Sequence, residues 1–154
     1  MQTFVFTLCG VQFGFPLKNL ESVEGSLNNM VNPATAAGYI KGTVTVRNQI
    51  VPVYDLPRRF GYADKKLNYI VVVSVDGMRL GFPVEGINEV IEVKEEENIS
   101  TPLVISSKQQ YFKSIAVQGS KWLILLDVDH LLQEKEKLEI RRLTEVKTET
   151  EAVE

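Results

Sequence analysis

Short runs of alternating apolar and polar residues dominate the chain. QFGFPL (from Gln12) and MRLGFPV (from Met78) carry the period of two that defines a β-strand, and TFVFTL (from Thr3) and KWLILL (from Lys121) are apolar runs of strand length. Turn signals separate these runs at hairpin spacing. Asp76-Gly77 stands between IVVVSV and MRLGF, the strongest short-range hairpin signal because both residues tolerate positive φ, and Cys9-Gly10 holds the equivalent place nearer the start. Two more hairpins are read where RNQ separates GTVTV from IVPVYDL, and where QGS separates SIAV from KWLILLDV. Helical periodicity enters only after Asp127, which with Asp129 is a candidate cap for a helix holding His130, Leu131 and Leu132.

The strand pattern is written twice. A displacement of 67 residues, as from Gly14 to Gly81, lays FVFTLCGVQFGFPLKNLESV (from Phe4) over VVVSVDGMRLGFPVEGINEV (from Val71) without a gap. Val5/Val72, Gly10/Gly77, Gly14/Gly81, Phe15/Phe82, Pro16/Pro83 and Val23/Val90 are identical. A displacement of 72, as from Asp55 to Asp127, then lays YIKGTVTVRNQIVPVYDLPRRF (from Tyr39) over YFKSIAVQGSKWLILLDVDHLL (from Tyr111). Two matches in the same order, differing only where a loop absorbs the difference, indicate internal duplication. The repeated Gly-Phe-Pro puts a flexible residue and a non-donor inside a strand, which predicts a bulge, a corner or an edge.

A mainly β fold follows, with about five short strands per copy and two small barrels packed side by side. The copies span about 4–60 and 71–132. A single copy of about 65 residues has a marginal core, so both are expected to fold as one unit over 1–138. GSLNNMVNPATAAG (from Gly25), GYADKK (from Gly61) and EVKEEENISTP (from Glu92) read as loops. Residues 139–154 read as a charged, flexible tail that extends the helix for some turns.

With 154 residues and 44% apolar content the chain has enough material for a folded core. The formal charge of −3 and the lack of a basic stripe argue against nucleic acid as a partner. The start, MQTFVFTLCG, has no basic n-region or cleavage site, and no apolar run reaches the roughly 20 residues that span a bilayer. A cytoplasmic location without membrane insertion is therefore expected. One cysteine, Cys9, excludes an internal disulfide, and one histidine, His130, leaves little for nucleophilic catalysis. The D-x-D pair Asp127/Asp129 could suggest a metal, but Asp127 has a twin in Asp55, and capping explains both. No catalytic, cofactor or metal site is expected, and a small enzyme or ligand-binding barrel is the weaker reading.

YIKGTVTVRNQIVPVYDLPRRFG, from Tyr39, resembles the signature of the CheW-like domains, the coupling proteins of bacterial chemotaxis. The opening strands, the second G-F-P-V with its E-V, and the closing LILLDVDHLL agree, so the resemblance runs from about Thr3 to Leu132. It implies two five-stranded SH3-like β-barrels with a further apolar core between them and a short C-terminal helix. It also implies a scaffold that joins the cytoplasmic tips of methyl-accepting chemoreceptors to the regulatory domain of the histidine kinase CheA in receptor arrays. Partner contacts are then expected on Leu20, Ser22, Ile40, Lys41, Gly42, Val46, Arg47, Asn48 and Val51. Of these, Leu20, Ile40, Val46 and Val51 either line an apolar groove between the barrels or serve as ordinary core, because half of any strand faces inward. Two departures stand out: Asn48 replaces the signature's glycine, and Ser22 stands where a glutamate is usual. They favour, as an alternative, a paralogue serving another receptor set or motility pathway.

Overall fold

The computed structural model describes residues 1–25, 30–31, 38–62, 67–99 and 112–153. The strands are β1 (Gln2–Leu8), β2 (Val11–Pro16), β3 (Leu20–Glu24), β4 (Ile40–Val46), β5 (Gln49–Tyr54), β6 (Tyr69–Val75), β7 (Met78–Val84), β8 (Gly86–Glu92), β9 (Asn98–Ile99), β10 (Phe112–Gln118) and β11 (Lys121–Leu126). Among the described residues the α-helices are α1 (Leu56–Arg59) and α2 (Glu134–Val153). Every tight hairpin is built on left-handed residues: Cys9-Gly10, Arg47-Asn48 and Asp76-Gly77 have positive φ at both turn positions, and Gly119 at the first of two. These mirror-image turns match the right-handed twist of the strands they join. The RNQ and QGS loops are therefore two residues long, because Gln49 and Gln118 belong to strands.

The barrels do not coincide with the sequence copies. One sheet has the order β8-β1-β2-β11-β10-β9 and the other β3-β6-β7-β5-β4. Each therefore combines the first hairpin of one copy with the remaining strands of the other. Matching β1 to β6, β2 to β7, β3 to β8, β4 to β10 and β5 to β11 carries one order onto the other, so the duplication is a near-twofold exchange of hairpins. The symmetry reaches the irregularities. The register skips Glu21 against β6 and Asn88 against β1, and skips Lys41 against β5 and Lys113 against β11. On the outer edges Val31 bridges Thr43, as Ile99 pairs with Ile115.

Exchange explains why both faces of the first hairpins are apolar. Phe4, Phe6 and Leu8 of β1 and Val71, Val73 and Val75 of β6 enter a central core shared by the two sheets. The alternate residues turn into the barrels: Val5 joins Ala116, Leu123 and Leu125, while Ile70 and Val72 join Val44, Val51 and Val53. A strand buried on both faces reads as a continuous apolar run, as IVVV does. Phe15 and Phe82, the twins of Gly-Phe-Pro, are both fully buried in the central core. The molecule thus has the two barrels and intervening core that the resemblance implied.

The repeated glycine has a different reason from the expected bulge or edge. Gly14 and Gly81 lie in internal strands, where no register shift occurs within their hairpins. A Cβ on Gly14 would sit 2.7 Å from both Leu123 Cδ1 and Thr3 Cγ2, and one on Gly81 2.9 Å from Ile70 Cγ2. Close approach inside each barrel excludes a side chain there.

Asp55 caps α1 by accepting from the Arg58 N–H at 3.3 Å, with Pro57 in the first turn. Asp127 likewise accepts from Asp129 N–H at 3.2 Å, but it opens only a 3-10 turn, Val128–His130. The helix expected to contain Leu131 and Leu132 starts later, at Glu134, because both leucines are buried in the core ahead of it. That helix also crosses the boundary placed at 138. Ile140 is buried and Leu143 packs on the central core, so the packed unit extends into the segment read as tail. Of the three loops, 26–29, 32–37, 63–66 and 100–102 lie outside the described residues, while β8, a 3-10 turn at Glu95–Glu97 and β9 occupy most of EVKEEENI.

Candidate partner-binding surface

All nine residues expected to meet a partner fall on the five-stranded sheet, on β3, β4, β5 and the turn between β4 and β5. They divide by exposure. Lys41, Arg47 and Asn48 are exposed, whereas Leu20, Ser22 and Val46 are half-buried. Ile40 is 3% exposed and Val51 1% exposed, and Gly42 is buried as well. Ile40 belongs to the central core and Val51 to the interior of its barrel. The expected four-residue groove is corrected accordingly: alternation along β4 and β5 turns Ile40 and Val51 inward. The half-buried Leu20 and Val46 lie on β3 and β4, the two opposite edges of the sheet, against different cores.

The exposed charges are held in unusual backbone. Lys41 is the bulged residue between Ile40 and Gly42, a position that re-aims a side chain out of the pleat. Arg47 has φ 51° and Asn48 φ 65°. Asn adopts this conformation readily, which accounts for its replacing the signature's glycine, but for arginine it costs about 1 kcal/mol. Beside this hairpin, the Arg58 and Arg59 guanidinium carbons lie 5.5 and 5.2 Å from the centre of the Tyr39 ring. Glu21, the bulged residue of β3, pairs with Arg79 at 2.7 Å.

The base of the hairpin is built on residues with no motif to mark them in the sequence beyond one cap. Glu136 of α2 is fully buried. Its Oε2 accepts from the Tyr39 N–H at 2.7 Å, and its Oε1 accepts from Gln133 N–H at 2.9 Å and the Tyr54 hydroxyl at 3.2 Å. The Gln133 bond is half of a capping box, and Q-x-x-E was its only signal in the sequence. Burial, with the Glu136 carboxylate alongside, pushes the Tyr54 phenol well above its ordinary range, so it remains a donor. Gly38 completes the cluster: at φ 57° it leaves no room for a Cβ beside Glu136.

The six-stranded sheet presents different chemistry at the matching place. Trp122, twin of Ile50, is 61% exposed and pairs across the hairpin with half-buried Val117, while Ile115 pairs with exposed Ile99. Among the described residues no three His, Cys, Asp or Glu side chains gather to hold a metal ion, and no helix is long and apolar enough to cross a membrane.

A duplicated pair of SH3-like barrels with exchanged hairpins defines the class, a β scaffold whose distinctive chemistry lies on its rims. Residues 2–136 match the family model described as CheW-like domain, and the chain belongs to that family. The chain is 30% identical over 116 residues to a chemotaxis protein CheW of Treponema pallidum (strain Nichols), covering 70% of this chain and 68% of that one. It is 27% identical over 138 residues to a chemotaxis protein CheW of Klebsiella aerogenes, covering 86% and 81%. In fold it is similar to the crystal structure of the scaffolding protein TtCheW from Thermoanaerobacter tengcongensis, with a TM-score of 0.75 and 24% identity over 88% of this chain and 94% of that one. Members of this family are chemotaxis scaffolds rather than enzymes.

Proposed function

We infer that this chain is the adaptor that couples chemoreceptors to the histidine kinase CheA, recruited from the cytoplasm to the cytoplasmic tips of methyl-accepting receptors. The carrying observation is the placement of Arg47 at a hairpin tip in left-handed backbone. A strained arginine on a rigid β-turn is retained more readily for a contact than for stability. Its guanidinium fork fits carboxylates or carbonyls of a partner, with Lys41, Val46 and Asn48 on the same hairpin and Leu20 on β3 at the opposite edge of the sheet. The kinase partner in this reading is the regulatory domain of CheA. Each barrel offers one rim, so one molecule bridges two others. Individual contacts of about 1,200 Å² or less are weak alone and gain strength by repetition in an array.

A pull-down with the CheA regulatory domain and with receptor tips tests this. Arg47→Ala or Leu20→Asp is expected to weaken capture of at least one partner by about tenfold or more. Wild-type capture of neither partner would overturn it. Ser22, half-buried where a glutamate is usual, favours a second reading, in which the same adaptor chemistry serves a different receptor set or motility pathway. Parallel capture against receptors of both kinds separates the two.

A further inference from the structure

We propose that Glu136 is a positioning residue through which the C-terminal helix holds the β4–β5 hairpin, and with it the Arg47 tip, in its binding geometry. The partner-binding part of this statement rests on the reading above; the positioning part does not. Three donors converge on the carboxylate from three places: Gln133 at the start of α2, Tyr54 at the end of β5, and Tyr39 just ahead of β4. The group is fully buried, so water does not substitute for a lost partner. A second contact ties the same points together, since the Asp55 N–H donates to the Tyr39 carbonyl at 2.8 Å. Tyr39 is thus fixed on its N–H side by the helix and on its carbonyl side by the strand that returns from the tip. The helix packs against β5, while the twin of Tyr54 in the other sheet is Leu126, which carries no hydroxyl. Among the described residues, therefore, the device belongs to the β4–β5 hairpin and not to β10–β11.

The chemistry of the site predicts separable effects. Both carboxylate oxygens face donors. In Glu136→Gln the remaining carbonyl oxygen still serves Gln133 and Tyr54, but an amide NH2 meets the Tyr39 N–H, donor against donor. The cap on α2 survives and the link to β4 breaks.

Amide hydrogen exchange on the full chain reads this directly. In Glu136→Gln the Tyr39 amide is expected to exchange roughly tenfold faster, with α2 protected as in wild type and the β10–β11 amides unchanged. Gly38→Ala, which drives a methyl group into the space Glu136 fills, is expected to free the same Tyr39 amide and serves if the first variant folds poorly. Capture of the partner that reads Arg47 falls in step with Tyr39 protection. Wild-type exchange at Tyr39, or equal loosening of both hairpins, overturns the proposal. If the wild-type chain captures no partner, the adaptor reading fails while the exchange data still decide the role of Glu136.

Discussion

The two closing hairpins, β4–β5 and β10–β11, descend from one sequence and occupy matched places, yet they differ in almost everything a partner would meet. The first turns through Arg47-Asn48, carries Thr45 beside its tip, and is tied at its base to α2. The second turns through Gly119-Ser120 and shows Trp122, Val117 and Ile115 on the matching face. Inward-facing positions tell the opposite story: Val44, Val51 and Val53 answer Ala116, Leu123 and Leu125, apolar for apolar. Duplication has kept the interiors alike because both halves of one core must fit together. The rims, free of that constraint, have diverged into a polar, cationic end and an aromatic, apolar one. In the proposed adaptor, such divergence would let the two rims meet unlike partners.

The largest expected effect tests the shared interior. Phe15→Ala and Phe82→Ala should each cost about 3–5 kcal/mol in urea denaturation, and the two values should agree within about 1 kcal/mol. A wide gap would mean that the central core is not symmetric. Next comes close packing at the repeated glycine. Gly14→Ala and Gly81→Ala should each cost about 1–3 kcal/mol, with Gly14→Ala the worse, since its methyl group meets two side chains at 2.7 Å rather than one at 2.9 Å. Smaller again, Tyr54→Phe should cost about 1 kcal/mol by removing a buried hydroxyl from Glu136, a loss without counterpart at Leu126. The smallest effect has the opposite sign: Arg47→Gly should raise stability by up to about 1 kcal/mol by relieving positive φ, while partner capture falls. A variant that gained stability and kept binding would remove Arg47 from the partner surface.

Much of this was legible in the chain. Alternation, Asp-Gly turns and the repeat itself yielded the β class, the hairpins and the pairing of the copies, because these depend on local period and turn chemistry. The exchange of hairpins was not legible. Val72 of β6 packs with Val44, Val51 and Val53 of the other copy, and the matching Ala116, Leu123 and Leu125 of its own copy are apolar too, so no residue type records the choice. Ile40 and Val51 were misplaced for a related reason: a strand's period separates its two faces without saying which is inner. Glu136 was hidden by its surroundings. In QEKEKLEIRR a buried acid looks like its solvated neighbours, and only the fold brings Tyr39 and Tyr54 against it.

Co-sedimentation with receptor-bearing membranes tests the adaptor claim most directly. With CheA and membranes held constant, adding this chain should carry the kinase into the pellet in proportion to the adaptor bound, and Arg47→Ala should carry less. Kinase that pellets equally well with the chain left out would contradict the account.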